Sequence, residues 1–155
     1  KGNLDRTKFT RADATPAELS HYSATSGDLL LNTRNSRELV GKSAVFSGES
    51  ALFNNNLMRI RLKEHLVADF VHAFLWSHEG RTSLDRLKSG TTNVYAIYAK
   101  DLKKLRIPTP PTALQKSFAA ELGEIRAERE VFMRALEADS ELFAALQNRA
   151  FRGVL

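Results

Sequence analysis

The stretch Arg106-Ile107-Pro108-Thr109-Pro110-Pro111-Thr112-Ala113-Leu114-Gln115 divides this chain in two. Pro108, Pro110 and Pro111 fix φ and remove three backbone donors, so neither a sheet ladder nor a helix can run through them. Residues preceding proline are pushed out of the helical region, which extends the chain here. Thr112 then offers a hydroxyl suited to an N-cap, and Gln115 follows three residues on, the spacing of a capping box. The expectation is a stiff joint between a globular head, residues 1–111, and a helix that starts at a defined residue, residues 112–155.

Downstream, apolar residues recur at Phe118, Leu122, Ile125, Phe132, Leu136, Phe143, Leu146 and Ala150. With Arg129 and Asp139 filling the gaps, the steps alternate four and three, the seam of a coiled coil. A helix of roughly 38 residues would be about 57 Å long. A head of this size has a radius of gyration of roughly 13 Å, so part of the seam should meet a second helix. Gly153 is read as the helix stop.

Upstream, the pattern is mixed. Thr15-Pro16-Ala17-Glu18 places a cap, a proline and an acidic residue as a helix start requires, predicting a short helix over Pro16–Tyr22. Gly27-Asp28 signals a turn before the apolar run Leu29-Leu30-Leu31, a buried strand. Further strands are expected over Ser43–Phe46, Leu57–Leu62 and Val94–Tyr98, with a last short one over Leu105–Ile107. In Leu57–Leu62, Met58, Ile60 and Leu62 alternate with Arg59 and Arg61. Ala68–His78 has a helical apolar stripe that Gly80 is expected to end, with short helical turns over Thr82–Leu87 and Asp101–Leu105. The class is α+β followed by one long C-terminal helix.

Charge separates along the same line. The chain carries a net charge of +5. Residues up to Pro111 hold 17 Lys and Arg against 11 Asp and Glu, and the remainder 6 against 7. A basic head favours a polyanion such as nucleic acid, although mild basicity is also common in soluble proteins. There is no cysteine, which excludes disulfides and thiolate metal sites and fits a reducing cytoplasm. The chain opens on Lys1 and has no apolar run of signal or membrane-span length, so it reads as an excerpt of a longer protein, without membrane association.

No catalytic motif is present. A phosphate loop, G-x-G-x-x-G, a G-x-S-x-G elbow, an Asn-Pro-Pro-aromatic tetrapeptide and Glu-x-Lys are all missing. His21, His65, His72 and His78 lack ligand spacing, so no metal or cofactor is expected. Two polar loops remain. Arg34, Asn35 and Arg37 carry the groups that read guanine and adenine edges, and Lys42, Ser36 and Thr33 suit phosphates. In the second loop, Lys88 is followed by Ser89, Gly90, Thr91, Thr92 and Asn93, small groups able to approach a backbone closely. Each loop also reads as a plain solvated turn, and Arg59 and Arg61 as either part of that surface or the solvent face of a strand. The candidate DNA contacts are Arg34, Asn35, Arg37, Lys42, Lys88, Thr91, Thr92 and Asn93.

Gly27-Asp28-Leu29-Leu30-Leu31, Val40-Gly41-Lys42 and Ser89-Gly90-Thr91-Thr92-Asn93 resemble a target recognition domain of the specificity subunit of type I restriction–modification enzymes. Leu105 to Gln115 looks like that family's hinge into its spacer helix, and Ala150-Phe151-Arg152-Gly153-Val154-Leu155 is similar to the helix's closing stretch. The resemblance implies a non-catalytic subunit that reads half of a bipartite site on double-stranded DNA. It implies antiparallel pairing of the helix with a second spacer helix, docking of methyltransferase subunits on it, and a restriction subunit able to join. With one head and one helix, the chain would be at most half of such a subunit, and its head would lack the family's first strand. An assembly module that pairs through Phe118, Leu122, Ile125, Phe132, Leu136, Phe143 and Leu146 without binding DNA is the alternative, and an independent nuclease is disfavoured by the missing carboxylate–lysine pair.

Overall fold

A computed structural model describes residues 4, 7, 9–90 and 93–153. The chain divides into two compact units, Lys1–Lys116 and Ser117–Leu155. The first unit opens with α1 (Pro16–Tyr22), at the predicted bounds. The Thr15 hydroxyl caps Glu18 N–H, and the Glu18 carboxylate accepts from the Thr15 N–H at 2.8 Å. That backbone hydrogen bond is the main reason the Glu18 carboxyl lies below its usual pKa.

Among the described residues, eight short strands follow or intersperse: β1 (Ser23–Ala24), β2 (Leu29–Asn32), β3 (Arg34–Asn35), β4 (Ser43–Val45), β5 (Ala51–Leu52), β6 (Leu57–Ile60), β7 (Ser89–Gly90) and β8 (Tyr95–Ala96). They form an antiparallel β4-β2-β6 sheet, an antiparallel β3-β8-β7 sheet and a β1-β5 ribbon. β2 is the centre of the first sheet, and its three leucines are buried because both of its faces are covered. Leu29 joins Val40, Val71, Leu75, Leu84 and Ile97 in the main core. Leu30 packs on the other side with Ala24 and Phe46.

The helical segment differs from the expectation of one helix ended by Gly80. It is a pair, α2 (Ala68–Trp76) and α3 (His78–Asp85), broken at Ser77. Ser77 closes the first helix and caps the second, its hydroxyl accepting from Gly80 N–H at 3.1 Å. Gly80 lies inside α3, where a Cβ would stand 2.0 Å from the Phe74 carbonyl oxygen. Glycine therefore permits the helices to approach, rather than stopping one. α2 is fastened to β4 by Trp76 Nε1–H donating to Ser43 O at 2.9 Å, and by His72 Nδ1 and the Ser43 hydroxyl at 3.1 Å.

α4 (Ala99–Leu102) is a single turn, and Leu105–Ile107 is not a strand. The Leu105 N–H is instead used on Leu102 O, closing the turn after α4. α5 (Thr112–Phe151) is one helix of 40 residues. Its start departs from the capping-box expectation. Thr112 is already helical, and Pro111 O accepts from the Leu114 N–H and the Gln115 N–H. Gln115 does not reach back. Its side chain is 0% exposed and its amide is fully used: Nε2 donates to His65 O at 3.1 Å and Pro110 O at 2.8 Å, while Oε1 accepts from Val67 N–H at 3.0 Å. The Thr112 hydroxyl also donates to His65 O. A buried amide needs partners at both ends, and the 65–67 loop supplies a carbonyl and an N–H.

In the second unit, seam residues face solvent in this chain alone: Phe132 is 72% exposed and Phe143 62%. Phe118, Ile125, Leu136 and Leu146 are also exposed, and Leu122 is half-buried. No helix among the described residues is long and apolar enough to cross a membrane.

Two glycines should respond oppositely to alanine. Gly80→Ala should destabilise by several kcal/mol, since backbone must move, whereas Gly123→Ala, with open space around its Cβ position, should stabilise α5 by about 1 kcal/mol. Gln115→Glu should cost roughly 3 kcal/mol at neutral pH, because an ionised carboxylate cannot donate to His65 O and Pro110 O. Thermal melts of the three variants check both statements.

Candidate nucleic-acid interface

The two three-stranded sheets meet at Thr33, between β2 and β3. Its N–H and hydroxyl both donate to Asn56 O, at 2.7 and 3.0 Å, beside β6. Its carbonyl accepts from Ile97 N–H at 2.9 Å, at the end of β8. One strand run therefore serves both sheets, and β8 takes over where β6 begins.

Register then assigns faces. Arg34 lies opposite Ala96, and Ala96 opposite Ser89, while Asn35 lies opposite Tyr95, and Tyr95 opposite Gly90. Tyr95 packs against the main core and Ile97 belongs to it, so the Asn35–Tyr95 side faces inward. With period two, Val94, Ala96 and Tyr98 share the outer face with Arg34. Arg34 and Asn35 are thus strand residues on opposite faces, not neighbours in a loop. The Arg34 side chain is exposed and has no partner among the described residues.

Lys42 reaches the outer surface through a bulge. Lys42 N–H donates to Leu39 O at 3.1 Å, closing a turn in which Gly41, at φ +82°, occupies the third position. Asn32 then faces two residues: Gly41 N–H donates to Asn32 O, and Asn32 N–H donates to Lys42 O, each at 2.8 Å. This is the glycine-first bulge, which bends the strand and re-aims the following side chain. It sets the exposed Lys42 beside Asn32, whose Oδ1 is buried and lacks a hydrogen-bond partner among the described residues.

The other candidates are placed differently. Arg37 is exposed, with its guanidinium 5.7 Å from the centre of the Tyr95 ring. Asn35 Oδ1 accepts from Ser36 N–H. The Lys88 side chain is only 4% exposed, donating to Arg37 O at 2.7 Å and pairing with Asp85 at 2.5 Å. Lys88 therefore fastens the 36–40 turn to the end of α3. Its hydrogen bond is also the first reason that the Asp85 carboxyl lies below its usual pKa, with Arg81 and Arg37 adding to the effect. Asn93 is exposed, and Thr91 and Thr92 lie outside the described residues. Arg59 is not on a solvated face: it donates to Ser23 O and lies over the Phe53 ring. Arg61 is exposed and 4.0 Å from Asp28.

The structure thus leaves Arg34 exposed on β3, Arg37 exposed in the turn that follows and Lys42 exposed at the bulge before β4, and turns Lys88 into a support. Val94 and Tyr98 are also exposed, without having been singled out by motif. The alternation Val94-Tyr95-Ala96-Ile97-Tyr98 contained the signal for them. Among the described residues, no group of three His, Asp or Glu could hold a metal ion.

Lys88→Ala should destabilise by roughly 2 kcal/mol, since it leaves Arg37 O and Asp85 unpaired. The Asp85 contribution should be present above about pH 4 and fade as pH falls through its lowered pKa. Because Asp85 is half exposed, that part should stay under about 1 kcal/mol. Urea titrations at pH 7 and pH 3 measure it, and Asp85→Asn should narrow the difference between them.

No family model matches the chain. Two curated relatives do. The specificity subunit of the type I restriction enzyme EcoKI from Escherichia coli K12 is 24% identical over 162 residues, covering 99% of this chain and 35% of that protein. The MjaX specificity subunit of Methanocaldococcus jannaschii is 28% identical over 115 residues, covering 72% of this chain and 27% of that protein. A chain from a solved type I restriction–modification system, described for its complex assembly and conformational transition, superposes with a TM-score of 0.62 and 29% identity, over 86% of this chain and 33% of its own. The chain spans about a third of the length of the relatives it matches. Sequence likeness over most of the chain, together with that superposition, makes it similar to the specificity subunits of type I restriction–modification systems.

Proposed function

We propose that the first unit is part of a target recognition domain that reads one half of a bipartite site on double-stranded DNA. The observation that carries this reading is the placement of Arg34 and Lys42, exposed and without partners among the described residues, on adjoining sheets fixed by Thr33. Arg34 on a strand suits a bidentate contact to guanine, and Lys42 on a bulge suits a phosphate. Arg37, Asn35 and Asn93 flank them; Lys88 acts by holding the Arg37 turn. The chain itself catalyses nothing, and restriction and methylation belong to other subunits.

α5 then serves as spacer and docking arm. Its exposed seam, Phe118, Leu122, Ile125, Phe132, Leu136, Phe143 and Leu146, calls for a second spacer helix, from the same subunit or another copy. Methyltransferase subunits, and through them a restriction subunit, would assemble on that pair. A pure assembly module is the second reading, and the same seam favours it.

Duplex binding by fluorescence anisotropy separates the two. Lys42→Ala should weaken binding to all sequences alike and reduce the log–log salt slope by about 1. Arg34→Ala should cost about 1–3 kcal/mol on the preferred sequence and relax preference at one base pair. Unchanged binding by the double charge reversal Arg34→Glu with Lys42→Glu would refute the interface. Leu136→Asp should lower the sedimentation coefficient of a self-associated protein while leaving the first unit folded.

A further inference from the structure

We infer that Val94 and Tyr98 form an apolar reading element beside Arg34, making contact with thymine C5-methyl groups in the DNA major groove. This rests on the DNA-binding reading given above and deepens it. Val94 is 49% exposed and Tyr98 56% exposed, on either side of β8 in the chain and in step with its outward residue Ala96. They flank Ala96, which is directly opposite Arg34. The outer face of this sheet therefore carries a cation between two large apolar side chains. Burial explains neither of them, since Tyr95 and Ile97 on the other face already supply the core contacts.

The surroundings say what covers such a patch. Lys100 Nζ lies 5.9 Å from the centre of the Tyr98 ring, and Arg34 stands across the strand from Ala96. An apolar patch flanked by two cations suits a polyanion that also presents apolar groups. Duplex DNA meets both conditions in its major groove, where the thymine methyl is the apolar feature of the base edges. Tyr98 is available for this role because its backbone carbonyl, not its side chain, starts α4, accepting from the Asp101 and Leu102 N–H groups at 2.9 Å.

The test uses the purified protein and duplexes that it selects from a randomised pool, copied with either thymine or uracil. Uracil lacks only the methyl. The protein should bind the thymine copies about fourfold more tightly for each methyl contacted, the worth of one buried CH₂. Val94→Ala with Tyr98→Ala should bring that ratio toward one while keeping salt-dependent binding to both copies. Tyr98→Phe, which keeps the ring, should retain the ratio. An unchanged thymine preference in the double variant overturns this inference and leaves the DNA-binding reading intact. Failure of the parent protein to select or bind any duplex overturns that reading, and this inference with it.

Discussion

Thr33 joins the two sheets through three hydrogen bonds made by one residue. Its N–H and hydroxyl hold Asn56 O, and its carbonyl holds Ile97 N–H. A buried backbone group must be paired, and here pairing passes from β6 to β8 within a single residue. This hand-over ties β3 and β8 to the well-buried β2. Without it, two-residue strands such as β3 and β8 would have little to keep their register. The outward direction of Arg34, Val94 and Tyr98 follows from that register, because a one-residue slip would turn each of them inward.

Two further devices act around this joint. Gly41 takes a left-handed conformation that most residues avoid, and the bulge it opens sets Lys42 beside Asn32. Lys88, with its charge paired to Asp85, holds the turn between Arg34 and Gly41 against α3. The basic surface is thus held by paired charges beneath and unpaired charges above. Separately, the Gln115 amide joins the start of α5 to the 65–67 loop with every polar atom used. The first turn of the long helix thereby belongs to the first unit.

Much of this was legible in the residues. The prolines at 108, 110 and 111 located the change from mixed unit to helix, since proline acts through local geometry that no tertiary contact can override. Thr15-Pro16 and Glu18 located α1 for the same reason. The β2 leucines declared a buried strand. What escaped was decided by long-range contact. Gly80 reads locally as a stop, yet its role depends on Phe74 O in the preceding helix. Gln115 has the spacing of a capping box, yet the buried loop at 65–67 offered better partners. Lys88 looks like a free cation in a polar loop, and only the fold brings Arg37 O to it. Arg34 and Asn35 look like neighbours on one loop until pairing with β8 sends them to opposite faces.

Hydrogen–deuterium exchange of the protein with and without saturating duplex DNA bears on the whole account. Segments 34–42 and 93–98 belong to the proposed interface, and their turn and edge amides should exchange more slowly when duplex is bound. The core strand Leu29–Asn32 and the helix pair Ala68–Asp85 should change little. Protection confined to Thr112–Phe151, or unchanged exchange at 34–42 and 93–98 with duplex demonstrably bound, would contradict it.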